Sequence, residues 1–187
     1  MQLTQKDIKK IKKNDSRVIN ELYRYSFDVL MSQVARYKIN DEDRRTLLNN
    51  TFIKIIDKID QYDLNTNYKA WIRQIMRNEI IDDFRRNKKL NETISYQEDL
   101  YGSIQMPEVE EEIASEQLEY YLNMLPPAGK MVFNLYVIDG YTSQEVCEQL
   151  DIKYETFKWH LKEARKKLRA VFKTSELNET EASERAN

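Results

Sequence analysis

The chain is poor in the residues that interrupt helices or build small stapled folds. Its 187 residues include three Gly, three Pro, one Cys and one His. So little turn material, with a third of the residues charged, fits a nearly all-helical protein rather than one of many short strands. One cysteine excludes a disulfide framework, and one histidine argues against a zinc site of the His/Cys type. Cys147 falls on an apolar helical face and is expected to pack in the core, whereas His160 is expected at the surface. No apolar run approaches membrane-spanning length and the N-terminus lacks a signal-peptide pattern. A cytoplasmic protein without membrane insertion is expected. Carboxylates at metal-binding spacing are missing as well. Asp41, Glu42 and Asp43 are consecutive, as are Asp82 and Asp83, so neither group converges on one helix face. That argues against a metal-dependent nucleic-acid-processing enzyme. No catalytic residue, metal or cofactor is expected.

What the chain does have is segregated charge. The net charge of −2 hides two basic blocks. Residues 1–90 hold 20 Lys/Arg against 13 Asp/Glu, residues 91–123 hold nine acids and no base, and residues 124–173 hold nine bases against six acids. The last fourteen residues hold four acids and one Arg. An acidic connector is repelled by DNA phosphates but is attracted to basic surfaces of the chain or of a partner. The pattern predicts an N-terminal helical domain over 1–90, an acidic linker over 91–107, a second helical domain over 108–173 and a disordered acidic tail over 174–187.

The second basic block carries a helix-turn-helix signature. Thr142 and Glu145 form a capping box, and Val146, Cys147 and Leu150 follow on one face. After a link of a few residues, Phe157, Leu161, Ala164, Leu168 and Val171 make a second apolar stripe. Two short amphipathic helices across so tight a turn have the dimensions of that motif. Beside the second stripe, Lys158, Lys162, Arg165 and Arg169 make a basic one, with Lys166 and Lys167 near the helix end. Trp159 points away from Phe157 at about 100° per residue and is expected outside the core. A basic stripe alone is often a solvated face; joined to this turn it predicts a DNA reader.

The first basic block reads as three helices. Val18, Ile19, Leu22, Phe27, Leu30, Met31 and Val34 mark the first; Leu47, Leu48, Phe52, Ile55, Ile56 and Ile59 mark the second. Tyr68, Trp71, Ile72, Ile75, Met76, Ile80 and Phe84 mark the third, with Asn65 or Asn67 as its cap. The third bears Lys69, Arg73 and Arg77 four residues apart and ends in Arg85, Arg86, Lys88 and Lys89. Tyr62, Tyr68 and Trp71 interleave with these bases, as in proteins that stack unpaired bases on rings. Both Tyr68 and Trp71 also fall on the apolar stripe, so core packing is the competing expectation.

The order of these parts resembles a bacterial RNA polymerase sigma factor of the small, two-domain extracytoplasmic-function type. The likeness covers roughly residues 15–173. It rests on "AWIRQIMRNEIIDDFRR", with Trp71, Arg77, Asn78, Asp82 and Arg85 in the family positions, and on "LPPAGKMVF" followed by Gly140, the Thr142 cap and the Ala-Arg-x-x-Leu ending. The resemblance implies an all-α protein whose N-terminal domain binds the polymerase core and an opened, single-stranded −10 element. It places the −10 base pocket in the loop after the third helix, "NKKLNETISYQED". The C-terminal domain would insert its second helix into the major groove of the −35 duplex, and an anti-sigma factor is a further partner class.

On the duplex, Glu155, Thr156 and Lys158 would meet base edges, with Trp159 in contact and Lys162, Arg165, Arg169 and Thr142 positioning the backbone. Tyr62, Tyr68, Lys69, Arg73, Arg77, Arg85 and Arg86 would face the −10 DNA. Asp43, Leu48, Asn49 and Phe52 would face the polymerase.

Two departures stand out. In "DRRTLLNNTF", Arg45, Thr46, Asn49 and Asn50 replace the family's acidic and Gln positions, so that either core binding is reweighted or the acidic role shifts to Asp41 and Glu42. Asp151 stands where a turn glycine is common and Lys153 where a Ser cap is common; Asp tolerates the left-handed turn conformation. The alternative reading is a dimeric helix-turn-helix regulator that binds duplex DNA without polymerase.

Overall fold

A computed structural model of the chain describes residues 3–90 and 115–185, with side chains described for 3–87 and 118–170. The described residues form eight α-helices and no strand. The predicted linker over 91–107 lies outside them.

The N-terminal helices begin where the sequence supplies acceptors. Asp15 caps α2 (Ser16–Ala35) by accepting from the Arg17 and Val18 amides. Asn40 caps α3 (Asp41–Asp57), whose first turn carries Asp41, Glu42 and Asp43 against the helix dipole. Asn67 rather than Asn65 caps α4 (Tyr68–Leu90), accepting from the Ala70 amide at 3.2 Å. Helices α2, α3 and α4 pack on one another through Leu22, Leu30, Leu48, Ile55, Ile72, Met76 and Ile80, all essentially inaccessible.

A helix that the periodicity reading did not identify, α1 (Gln5–Lys12), precedes them. A Thr4–Asp7 capping box starts it, and Ile8 and Ile11 bury it against α2 and the 3-10 turn at Ile59–Gln61. Several buried polar groups of this half are satisfied locally, whereas Gln33 Oε1 and Arg77 Nε find no partner among the described residues. The Ser26 and Thr51 hydroxyls donate to carbonyls one turn back, and Glu79 pairs with Lys54 and Arg86.

In the C-terminal half, α5 (Ser115–Asn123) leads to α6 (Pro127–Phe133), which starts with proline in its first turn. A π-helical turn, Asn134–Ile138, and Gly140 at φ +76° redirect the chain into α7 (Ser143–Leu150). Asp151 then adopts φ 50°, ψ 56°, the left-handed cap expected of it, and α8 (Tyr154–Arg185) follows. Helix α8 continues where a disordered tail was expected; residues 174–185 contain neither Gly nor Pro to stop it.

The two halves are not separate cores. One apolar cluster runs from α2–α4 through Leu135, Val146, Leu150, Phe157 and Leu161. A smaller cluster joins α5 to α8 through Leu122, Leu125, Ala164 and Leu168.

Candidate nucleic-acid interface

Two surfaces collect the cations and rings singled out above. The first is the turn between α7 and α8. The Thr142 backbone amide donates to Glu145 Oε2 at 2.8 Å, and the Glu145 amide donates to Thr142 Oγ1 at 3.2 Å. Thr142 is thus exposed but tied to the cap it forms.

Along α8, Phe157, Leu161, Ala164 and Leu168 are buried, as their spacing predicts. Val171 lies outside the described side chains. Thr156 sits inside the first turn, and the first helical bond goes to the Lys153 carbonyl, so Thr156 does not replace the missing serine cap. Opposite the buried stripe, Glu155, Lys158 and Arg169 are exposed, and Lys162 and Arg165 are half-buried. Lys158 and Glu155 pair at 2.8 Å, and this hydrogen bond raises the lysine's pKa. Partial burial lowers that of Arg165. Trp159 is 38% exposed, as expected, and Tyr154 is 53% exposed beneath the Lys158 ammonium. Tyr154 was not singled out from the sequence, although it stands one turn before Lys158 on the same face. His160 is half-buried, its ring against Trp159.

The second surface is the start of α4. Here the aromatic expectation is corrected. Tyr62 and Tyr68 are 7% and 5% exposed, so neither offers an open stacking platform. The Tyr62 hydroxyl donates to the Thr66 carbonyl at 2.6 Å, and the Tyr68 hydroxyl lies 3.0 Å from Ser26 Oγ. Burial pushes the Tyr68 phenol well above its ordinary pKa, partly opposed by the Ser26 bond. The two rings and half-buried Trp71 pack mutually, with centroids 5.2–6.0 Å apart.

Their edges border a hollow of about 330 Å³ that is open to solvent and mainly polar in its accessible lining. Its lining is Tyr25, Tyr62, Leu64, Asn65, Thr66, Asn67, Tyr68 and Lys69, which combines aromatic surface, amides and one cation. That is the make-up of a pocket for a flat, hydrogen-bonding group such as an unpaired base. It precedes α4. The loop after α4, where the resemblance placed a base pocket, is outside the described residues from 91 onward.

The cations of α4 divide into two sets. Lys69 and Arg73 are exposed, Lys69 resting 5.4 Å from the Tyr25 ring centroid. Arg86 is exposed and reaches Glu79 and Asp83 on its own helix. Arg77, half-buried and donating to Gln74 Oε1 on its own helix at 2.6 Å, and Arg85, itself exposed, also reach the C-terminal half. Arg77 stacks over Tyr141 at 5.9 Å, and Arg85 donates to the Gln149 and Glu148 carbonyls at 2.5 and 3.0 Å.

The residues expected to face polymerase are likewise split. Asp43 and Asn49 are exposed on α3, but Leu48 and Phe52 are 1% and 8% exposed. Both lie on the inner stripe with Leu47 and Ile55, and Phe52 packs edge-on to Tyr23 at 4.9 Å. The apolar group on the outer face is Ile53, 59% exposed and in line with Thr46, Asn49 and Asn50. An isoleucine on an otherwise polar stripe is the signal that would have found it.

Residues 14–90 match the family described as Sigma-70 region 2, and residues 115–168 match Sigma-70, region 4. The chain is 30% identical over 159 residues to the ECF RNA polymerase sigma factor SigM of Bacillus subtilis (strain 168), covering 82% of this chain and 90% of that protein. It is 26% identical over 178 residues to SigW of the same organism, covering 89% and 95%. Among solved structures, the sigma factor RpoE of Bartonella quintana, in complex with the anti-sigma factor NepR, is similar at 18% identity and a TM-score of 0.47. That match covers 82% of this chain and 96% of the other.

Proposed function

The chain belongs to the extracytoplasmic-function family of RNA polymerase sigma factors, and we propose that it divides promoter reading between two kinds of surface. As a sigma factor it directs promoter recognition and transcription initiation. Such factors supply specificity and leave the covalent chemistry to the polymerase. In our reading α8 lies in the major groove of the −35 duplex, with Glu155, Thr156 and Lys158 toward base edges and Arg165 and Arg169 toward phosphates. An unpaired base of the −10 element enters the cavity before α4, while Lys69 and Arg73 hold its backbone.

The observation that carries this division is the cavity itself. A hollow of about 330 Å³ open to solvent, with the amides of Asn65 and Asn67 and the cation of Lys69 on its lining and exposed Arg73 one turn further along α4, supports that reading. The outer face of α3, with Asp43, Asn49 and Ile53, is the docking surface for the polymerase core. An anti-sigma factor is a further partner, and the site of action is the cytoplasm.

The test is reconstitution. The purified chain is expected to comigrate with bacterial core polymerase and to produce transcripts from a specific start. Duplex binding by a dimer, with no transcript in the presence of core, would instead favour the polymerase-independent regulator.

A further inference from the structure

We propose that Tyr154 sets the base preference of α8, by holding the Lys158 ammonium where it and Glu155 together meet one G·C pair. The inference rests on the assignment of Glu155 and Lys158 to base edges of the −35 duplex.

Tyr154 is 53% exposed, but its ring is not loose. It lies nearly parallel to Phe157, with centroids 5.9 Å apart and planes at 21°. Phe157 is buried and meets Tyr136 edge-on at 5.2 Å. Tyr154 is therefore the outer member of a row of rings anchored in the core. One turn further on, Lys158 Nζ lies 5.1 Å from the Tyr154 ring centroid, within the range at which a ring face attracts a cation. The same ammonium lies 2.8 Å from Glu155 Oε2. Ring and carboxylate both hold it.

Of the two, the ring is the one that fixes position. The Lys158 and Glu155 side chains are 52% and 78% exposed, and an ion pair so open to water is weak and screened by salt. The Glu155 carboxylate can swing on its stem, whereas a ring stacked on a buried partner cannot. Lysine is otherwise a point charge on a flexible four-carbon stem, and confining it before DNA arrives lowers the entropy lost on binding.

The confined pair matches one base pair and opposes another. An ammonium has three N–H donors; one goes to Glu155 and the others are directed to guanine N7 and O6. The carboxylate has a second oxygen for the cytosine N4 amine. On an A·T pair the carboxylate would meet the thymine O4 acceptor, and the ammonium would meet the adenine N6 donor beside N7. Those like-on-like contacts are the repulsive element from which discrimination comes. Tyr154 touches no base in this scheme. It is a positioning residue.

The test uses holoenzyme reconstituted from the full chain and core polymerase, bound to a library in which each −35 base pair is varied singly. Lys158→Ala is expected to lower discrimination about tenfold at a single G·C position. Tyr154→Leu, which keeps an apolar side chain beside Phe157, is expected to lower it about two- to fivefold at that position and nowhere else. Tyr154→Phe keeps the ring and should keep the preference. In the Lys158→Ala background, Tyr154→Leu should have no further effect. Circular dichroism checks each fold, and Tyr154→Ala carries the test if Tyr154→Leu does not fold.

A loss for Tyr154→Leu that is spread over all positions, or that keeps its full size without Lys158, would overturn the positioning role. So would a Tyr154→Phe variant as impaired as Tyr154→Leu, because the hydroxyl rather than the ring would then be acting. Uniform loss for Lys158→Ala would instead overturn the base-edge assignment on which the inference stands.

Discussion

Helices α4 and α8 both carry cations at helical spacing, but they present them in opposite ways. On α8 the apolar stripe is fully consumed by the core, and the basic groups and rings stand outside it. The proposed reading surface is the helix face itself. At the start of α4 the rings are inside, packed as Tyr62, Tyr68 and Trp71, and the proposed site is an open hollow bordered by the loop that precedes the helix. A groove reader needs only a rigid helix with the right outward residues. A reader of unpaired bases needs concavity and therefore tertiary structure. The contrast suits two DNA states, duplex for α8 and opened strand for α4.

The largest difference should appear in stability. Tyr68→Ala removes a buried ring and is expected to cost about 3–5 kcal/mol in denaturant unfolding, whereas Trp159→Ala should stay within roughly 0.5 kcal/mol. Equal costs for the two would erase the distinction between an inner and an outer ring.

The halves differ next in how they bury charge. Glu79 in the N-terminal half pairs with Lys54, but Lys130 of α6 is buried with its ammonium on the neutral amide of Asn123 at 2.8 Å. Burial, with Arg44 nearby, lowers the Lys130 pKa from 10.5 to about 8. Between those values the folded chain has released a proton that the unfolded chain still binds, so stability rises with pH through that window. The rise should be at most roughly 3 kcal/mol. Lys130→Met should flatten it between about pH 8 and 9.5. A rise of the same size in the variant would exclude Lys130 as its source.

Within α8 the distinction is between reading and holding. Lys158→Ala should lose about 1–3 kcal/mol at one base pair of a −35 library, and Arg169→Ala should weaken all members alike. Uniform loss for Lys158→Ala would leave its pairing with Glu155 as its only role. The smallest effect concerns the turn. Thr142→Ala breaks the α7 capping box and should cost about 1 kcal/mol of stability, read as a lower denaturant midpoint with an unchanged slope.

Much of this architecture was legible in the sequence because it is local. Helices α2, α3, α4, α7 and α8, the Thr142 cap, the Asn67 cap and the left-handed Asp151 all follow from spacing or from one residue's backbone preference. Helix α1 escaped because only Ile8 and Ile11 anchor it among many lysines. Leu48 and Phe52 were read outward although they share the inner stripe of Ile55, and Ile53, one residue on, occupies the outer face instead. The cavity was hidden because Tyr25 reaches it from α2, far along the chain. The contact between the halves was hidden for the same reason, since the hydrogen-bonded Tyr37 and Asp139 are 102 residues apart.

The division of labour between the two helices is tested most directly by crosslinking within the polymerase complex on promoter DNA. A photoreactive residue at Asn65, on the lining of the cavity, and another at Lys158, on α8, are compared on one duplex promoter before and after it opens. The account predicts that position 65 crosslinks to the −10 region only after opening, and that position 158 crosslinks to the −35 duplex in both states. Crosslinks from position 65 to closed duplex, or none at all in the open complex, would contradict it.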